Sequence, residues 1–208
     1  MKVKDIKNRV TLLNVAASLF MQIASVISAL IVPRLILETF GSSTNGLVSS
    51  ISQFLNYITL VEGGITGVIS ANLYKPLVDG DNEKLSSVLT TARSFYRKIG
   101  VLFIGYSVVL GVVYPFFVDT GYEYWYVFAL TLTLSIGLML QYMFSLTFTT
   151  LLNADKKVYI VAFTGTVLTI ANIILTLVVV NVYPDIIVLK FASAILFVLQ
   201  PLFYGLYI

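Results

Sequence analysis

The chain has 208 residues, 58% of them hydrophobic and only 11% charged, with a mean hydropathy of +0.94. A typical soluble domain carries roughly 25% charged residues, so this composition points to lipid as the solvent. It holds no cysteine and no histidine, which excludes disulfides, thiolate metal sites, cysteine nucleophiles and imidazole proton transfer together.

Six apolar stretches follow one another: 10–32, 47–73, 99–118, 124–152, 158–183 and 186–208. Each approaches or exceeds the ~20 residues a helix needs to cross a hydrocarbon core of ~30 Å. The expected fold class is therefore all-α: a polytopic bundle of six transmembrane helices forming a single domain over residues 1–208. The first stretch has a basic flank, but its apolar run is too long for a signal peptide and leads into Pro33-Arg34 instead of a cleavage site. Pro33 is expected to bend or end that first helix. Upstream, Val3, Ile6, Val10 and Leu13 recur at helical spacing among lysines, as in an amphipathic lead-in on the inner leaflet.

Charge orients the spans. Eleven of the 13 basic residues precede the first stretch, lie between the second and third, or lie between the fourth and fifth; only Arg34 and Lys190 fall on the other side, near Glu38, Asp119, Glu123 and Asp185. The positive-inside rule then makes the N-terminus cytoplasmic, with the spans alternating from there. The longest hydrophilic segment, 74–98, is expected in the cytoplasm. Asp79-Gly80-Asp81-Asn82 is a turn signal within it, and Asp81 or Asn82 is placed to cap the next helix.

Polar and small residues recur at intervals of three, four or seven along several spans. Asn14, Ser18, Gln22, Ser25 and Ala29 do so in the first. Ser52, Asn56, Thr59, Gly63, Thr66 and Ser70 do so in the second, Thr131, Ser135, Tyr142, Ser145 and Thr149 in the fourth, and Ala162, Gly165, Thr169, Asn172 and Thr176 in the fifth. Two readings compete. Small and hydroxyl residues at this spacing permit close helix packing, as in Gly63-x-x-x-Gly67. Alternatively they line a wet cavity. Serine and threonine satisfy themselves on their own helix, whereas the carboxamides of Asn14, Gln22 and Asn56 need several partners each.

Four residues are candidates for substrate binding: Arg34, Glu62, Asn56 and Lys190. A carboxylate inside a span costs about 2.5–3.5 kcal/mol on insertion scales, so Glu62 requires a cavity, a partner or a proton. Arg34 and Lys190 stand near the outer ends of their spans, where they either meet phosphate or snorkel to headgroups. No Gly-x-x-x-x-Gly-Lys-Ser/Thr loop occurs, so direct ATP hydrolysis is not expected; the acids are scattered and histidine is absent, so the expectation is a non-enzyme without cofactors.

The stretch from Pro33-Arg34 through Glu38 to Gly41, followed by Asn45-Gly46-Leu47, resembles the first loop of the Wzx-type polysaccharide flippases. Glu62-Gly63-Gly64, with Asn72-Leu73-Tyr74-Lys75-Pro76-Leu77 and Asp79-Gly80-Asp81, resembles their second span and cytoplasmic loop. That superfamily also contains the MATE exporters. The resemblance covers about the first hundred residues in motifs and the remainder in hydropathy. It implies one six-helix lobe of a two-lobe transporter, with its C-terminal lobe missing from the sequence, in a bacterial cytoplasmic membrane. The implied activity is flipping of an undecaprenyl-diphosphate-linked oligosaccharide to the outer leaflet by alternating access. Implied partners are that lipid-linked oligosaccharide, membrane lipids and the missing lobe or a second copy, with no nucleic acid. An ion-coupled multidrug exporter on the same scaffold and a membrane-embedded glycan-processing enzyme are the alternatives.

Overall fold

The computed structural model describes residues 3–118 and 121–207. Helix makes up 92% of it and no strand occurs among the described residues, so the class is all-α. The helices are α1 (Val3–Asn56), α2 (Ile58–Asp79), α3 (Asn82–Phe117), α4 (Tyr124–Leu140), α5 (Leu146–Ala154), α6 (Val158–Val182) and α7 (Ile186–Gly205). A five-residue π-helical turn, Gln141–Ser145, joins α4 to α5. Asp119 and Lys2 lie outside the described residues, as do the side chains of the lead-in residues Val3 and Ile6.

Among the described residues five helical segments are long and apolar enough to cross a membrane: Asn8–Asp79, Asn82–Phe117, Tyr124–Ala154, Val158–Val182 and Ile186–Gly205. This differs from the expectation of six separate spans, because the first two apolar stretches fall on one 72-residue segment. Pro33 does not interrupt it; helix continues through that proline. The break is at Gly41, whose φ of +84° and ψ of 171° are open to glycine and costly for any residue with a Cβ. Proline removes one intrahelical bond and bends a helix, but only a residue outside helical φ/ψ lets the chain turn.

The register of contacts shows what the turn accomplishes. Asn14 meets Lys156 and Tyr159, and Met21 meets Gly165, so residues 14–21 run parallel to α6. Beyond Gly41, Thr44 pairs with Tyr122, Ser50 with Tyr114, Phe54 with Tyr106 and Thr66 with Tyr96. Those sums are nearly constant, so residues 44–66 run antiparallel to α3. Gly100 against Tyr142 and Gly111 against Phe128 make α3 and α4 antiparallel as well. Three-residue connections then turn α5 into α6 and α6 into α7.

Local chemistry explains the ends. Gly80 closes α2 in the left-handed conformation, its N–H donating to the Pro76 carbonyl. Asp81 caps α3 by accepting from the Lys84 N–H at 3.0 Å. That bond, with the Lys84 ammonium 2.9 Å away, holds the Asp81 carboxyl below its ordinary range. Between α1 and α2 the helix passes through a tighter turn at Tyr57, whose N–H donates to Phe54, and side chains add donors there: the Tyr106 hydroxyl donates to Phe54 and the Thr59 hydroxyl to Asn56.

The core gathers where residues 47–55, α3, α4 and α7 meet, around Ile51, Leu55, Tyr96, Phe103, Val127, Leu130 and Leu189. Outside it, large apolar side chains such as Leu12, Phe20, Leu60, Phe116 and Val182 stand exposed on every side. Soluble monomers seldom expose contiguous apolar surface beyond a few hundred Å², and the pattern is compatible with a multi-pass membrane protein.

Candidate functional site

The polar stripes divide into two kinds. On α4 and α6 they are packing faces. Thr131, Ser135, Tyr142, Ser145, Ala162, Gly165 and Thr176 are buried, and the hydroxyls of Thr131, Ser135 and Thr176 donate to carbonyls of their own helices. Gly165 admits the Met21 side chain so closely that a Cβ there would meet its Cε at 2.9 Å. Stripes on α1 and α2 are only partly covered: Ser18, Gln22, Asn56, Thr59 and Gly63 are exposed, whereas Asn14, Ser25, Ser52, Thr66 and Ser70 are half-buried. The three carboxamides, all on α1, differ among themselves. Asn14 is fully engaged, its Nδ2 donating to the Lys156 carbonyl at 2.8 Å and its Oδ1 accepting from the Tyr159 N–H at 2.9 Å, and so it fastens α1 to the start of α6. The side-chain carboxamides of Gln22 and Asn56 make no hydrogen bond among the described residues. Asn56 sits at the break between α1 and α2.

Glu62 lies six residues beyond Asn56 and is half-buried. Thr66, one turn on, donates to its Oε1 at 3.4 Å, a long contact. The same Thr66 hydroxyl is 3.0 Å from the Tyr96 hydroxyl, which lies 3.0 Å from that of Thr150. A chain of oxygens thus runs from Glu62 through α3 to α5. Tyr142 closes the cluster from the π-helical turn. Its hydroxyl is beside the Glu62 carboxyl, outside hydrogen-bond geometry, buried and without a partner. A π-helical turn inserts a residue and redirects the side chains around it, and such turns concentrate at functional sites. Here Gly100 of α3 makes room for it, with Met143 Cγ 3.2 Å from where a Cβ would stand. Sequence reasoning found Glu62 and Tyr142 but left Tyr96 and Thr150 unmarked. The available signal for Tyr96 was its place between Arg93 and Arg97, on the face that also carries Ala92 and Ile99.

Lys190 borders a groove of about 320 Å³ between α4 and α7, with Gln141, Thr133, Ser193 and Gln200 around it. Its ammonium forms no ion pair among the described residues, and the side chain is not exposed, unlike a snorkelling anchor. Gln200 is committed to the Tyr204 hydroxyl at 2.7 Å, while Gln141 remains open. Arg34 is different. Its Nε donates to Glu38 at 2.8 Å across one turn of α1, and both side chains are exposed. The pairing leaves the two terminal guanidinium nitrogens free for an anion. No hydrogen bond or ion pair joins any two of Arg34, Asn56, Glu62 and Lys190. Among the described residues no cluster of acidic side chains is able to hold a metal ion.

No family model, no curated protein and no solved structure matches this chain.

Proposed function

We propose that the chain crosses a bacterial cytoplasmic membrane six times, with its N-terminus in the cytoplasm, and forms one lobe of a flippase for lipid-linked oligosaccharides. The reversal at Gly41 supports six crossings. A straight helix of 72 residues would extend about 108 Å, more than three times the ~30 Å core, and the chain runs in opposite directions on the two sides of the glycine. Trp125 and Tyr124 at the start of α4, with Phe116 and Phe117 at the end of α3, supply an aromatic belt on the outer side.

One observation carries the transport reading: the exposed polar faces of α1 and α2. Unbonded carboxamides facing hydrocarbon cost several kcal/mol each, so Gln22 and Asn56 call for water, a polar ligand or a second lobe. A glycan moving through the bilayer requires such a surface, while its polyprenyl tail stays in lipid. Lys190, Arg34 and the Glu62 cluster are the groups in this proposal that meet the head group or respond to ions.

The test uses the protein expressed from its complete reading frame and reconstituted with an undecaprenyl-diphosphate-linked oligosaccharide on the inner face of proteoliposomes. The glycan should become accessible to an external glycosidase with time. Glu62→Gln should slow this at unchanged protein level. Arg34→Ala should slow it too, with Arg34→Lys restoring part, because lysine lacks the bidentate fork. Glycan that stays protected with wild-type protein removes the flippase assignment.

A further inference from the structure

We infer that the outward face of α3 holds an anionic phospholipid of the cytoplasmic leaflet, its phosphate on Arg93, Arg97 and Lys98 and an acyl chain along Val101, Leu102 and Val109. The inference rests on the membrane orientation proposed above, and not on what the protein transports.

Distance supplies the first argument. From Lys98 to Phe117 the helix rises about 28 Å at 1.5 Å per residue, which matches a hydrocarbon core of ~30 Å. With Phe116 and Phe117 at the outer aromatic belt, the three cations stand at the inner headgroup plane.

Charge and surface supply the second. Arg93, Arg97 and Lys98 border a shallow groove of about 670 Å³ with the small polar Thr90 and Ser94. The ion pairs of the described residues are Arg34–Glu38, Lys84–Asp81 and Lys157–Asp155, so none of the three cations is neutralised. Along α3 the nearest acid is Glu83, ten residues upstream. Arg93 and Arg97 are one turn apart, a spacing at which two guanidinium groups share one phosphate. The Thr90 hydroxyl already donates to the Ser86 carbonyl, whereas Ser94 has no such commitment and is free to donate to an oxyanion.

Continuity supplies the third. Below the cations the same face is apolar and open, with Val101 61% and Leu102 69% exposed and open space where a Cβ at Gly105 would stand. The polar side chains on this part of α3 turn inward: Ser107 is buried and bonded to the Phe103 carbonyl, and Tyr106 reaches the Phe54 carbonyl. A dense cationic patch capping a purely apolar stripe is complementary to a diacyl lipid with a negative headgroup, and a free phosphate would use only the upper half.

The experiment compares lipid retention by native mass spectrometry of the purified full chain, offered phosphatidylglycerol and phosphatidylcholine in equal amounts. Wild-type protein should retain phosphatidylglycerol at least fivefold over phosphatidylcholine. Arg93→Gln/Arg97→Gln/Lys98→Gln should abolish that preference. Lys75→Gln/Lys156→Gln/Lys157→Gln, which removes the same charge from other cytoplasmic positions, should keep it, and so should Arg93→Lys/Arg97→Lys. Equal loss in both triple variants would mean diffuse attraction and overturn the site. Displacement of phosphatidylglycerol by equimolar inorganic phosphate would make it a free-anion site and overturn the lipid assignment. A chain recovered in the soluble fraction would instead defeat the membrane reading itself.

Discussion

The polar faces of α4 and α6 and those of α1 and α2 share composition and spacing yet end in opposite surroundings. Thr131, Ser135, Gly165 and Thr176 disappear into helix contacts, with their hydroxyls bonded along their own backbones. Gln22, Asn56, Thr59 and Gly63 stay exposed, although the Thr59 hydroxyl is likewise bonded to the Asn56 carbonyl. What separates them is the neighbour. α6 receives α1 over a long interface, and α4 lies between α3 and α7, so small residues there are consumed by close approach. The outer faces of α1 and α2 have no helix against them, and polarity left there needs another explanation. Stripes of small and hydroxyl residues are therefore weak evidence for a pathway until their neighbours are known.

The comparison breaks most sharply through bulk. At Gly111 an added Cβ would meet Phe128 Cδ2 at 3.0 Å, so Gly111→Val should destabilise the bundle by about 1–3 kcal/mol. Thermal unfolding in detergent would register this as a clear drop in Tm. An unchanged Tm would mean that α3 and α4 are less closely packed than described. Asn14 comes next. Asn14→Ala removes both bonds to the start of α6 and should cost about 1–2 kcal/mol, whereas Gln22→Ala on the same helix should stay within about 0.5 kcal/mol. Equal effects would erase the distinction between the two carboxamides. At Gly63 nothing lies within 4 Å of an added Cβ, so Gly63→Ala should be neutral or stabilising by up to about 1 kcal/mol. A destabilisation would show that the α2 face is already packed.

The smallest effect is at the cytoplasmic hairpin, away from both kinds of stripe. Asp81 has its carboxyl held below the ordinary range by the Lys84 N–H and ammonium. A depressed folded-state value means that its stabilisation is complete at neutral pH and fades as pH falls through the acid range. Asp81→Asn should therefore flatten the acid side of the stability profile slightly and leave the neutral side nearly unchanged, as read by Tm between pH 3 and 7.

The helical class and most helix limits were legible as run lengths of apolar sequence, and the Gly80 turn with its Asp81 cap was legible in the residues that form it. The first turn was not. Pro33 is the conspicuous breaker, yet the chain breaks at Gly41, because only a residue without Cβ reaches a φ of +84° at little cost. The π-helical turn at Gln141–Ser145 has no signature of its own; it follows from the space beside Gly100, a tertiary fact. Glu62 was conspicuous as a lone acid in apolar sequence. Its surroundings were not, since Thr66, Tyr96, Thr150 and Tyr142 come from four elements. Periodicity located every stripe but was silent on which would be covered, because burial depends on the neighbouring helix.

The central claim is that the outer faces of α1 and α2 meet water within the membrane while those of α4 and α6 do not. The chain has no cysteine, so a single introduced thiol reports one position. Single variants Gln22→Cys, Thr59→Cys, Thr131→Cys and Thr176→Cys would be exposed, in membranes, to a small water-soluble thiol reagent, and labelling rates compared. The account predicts labelling at positions 22 and 59 at least tenfold faster than at 131 and 176. Comparable rates at all four positions, or faster labelling on α4 and α6, would contradict it.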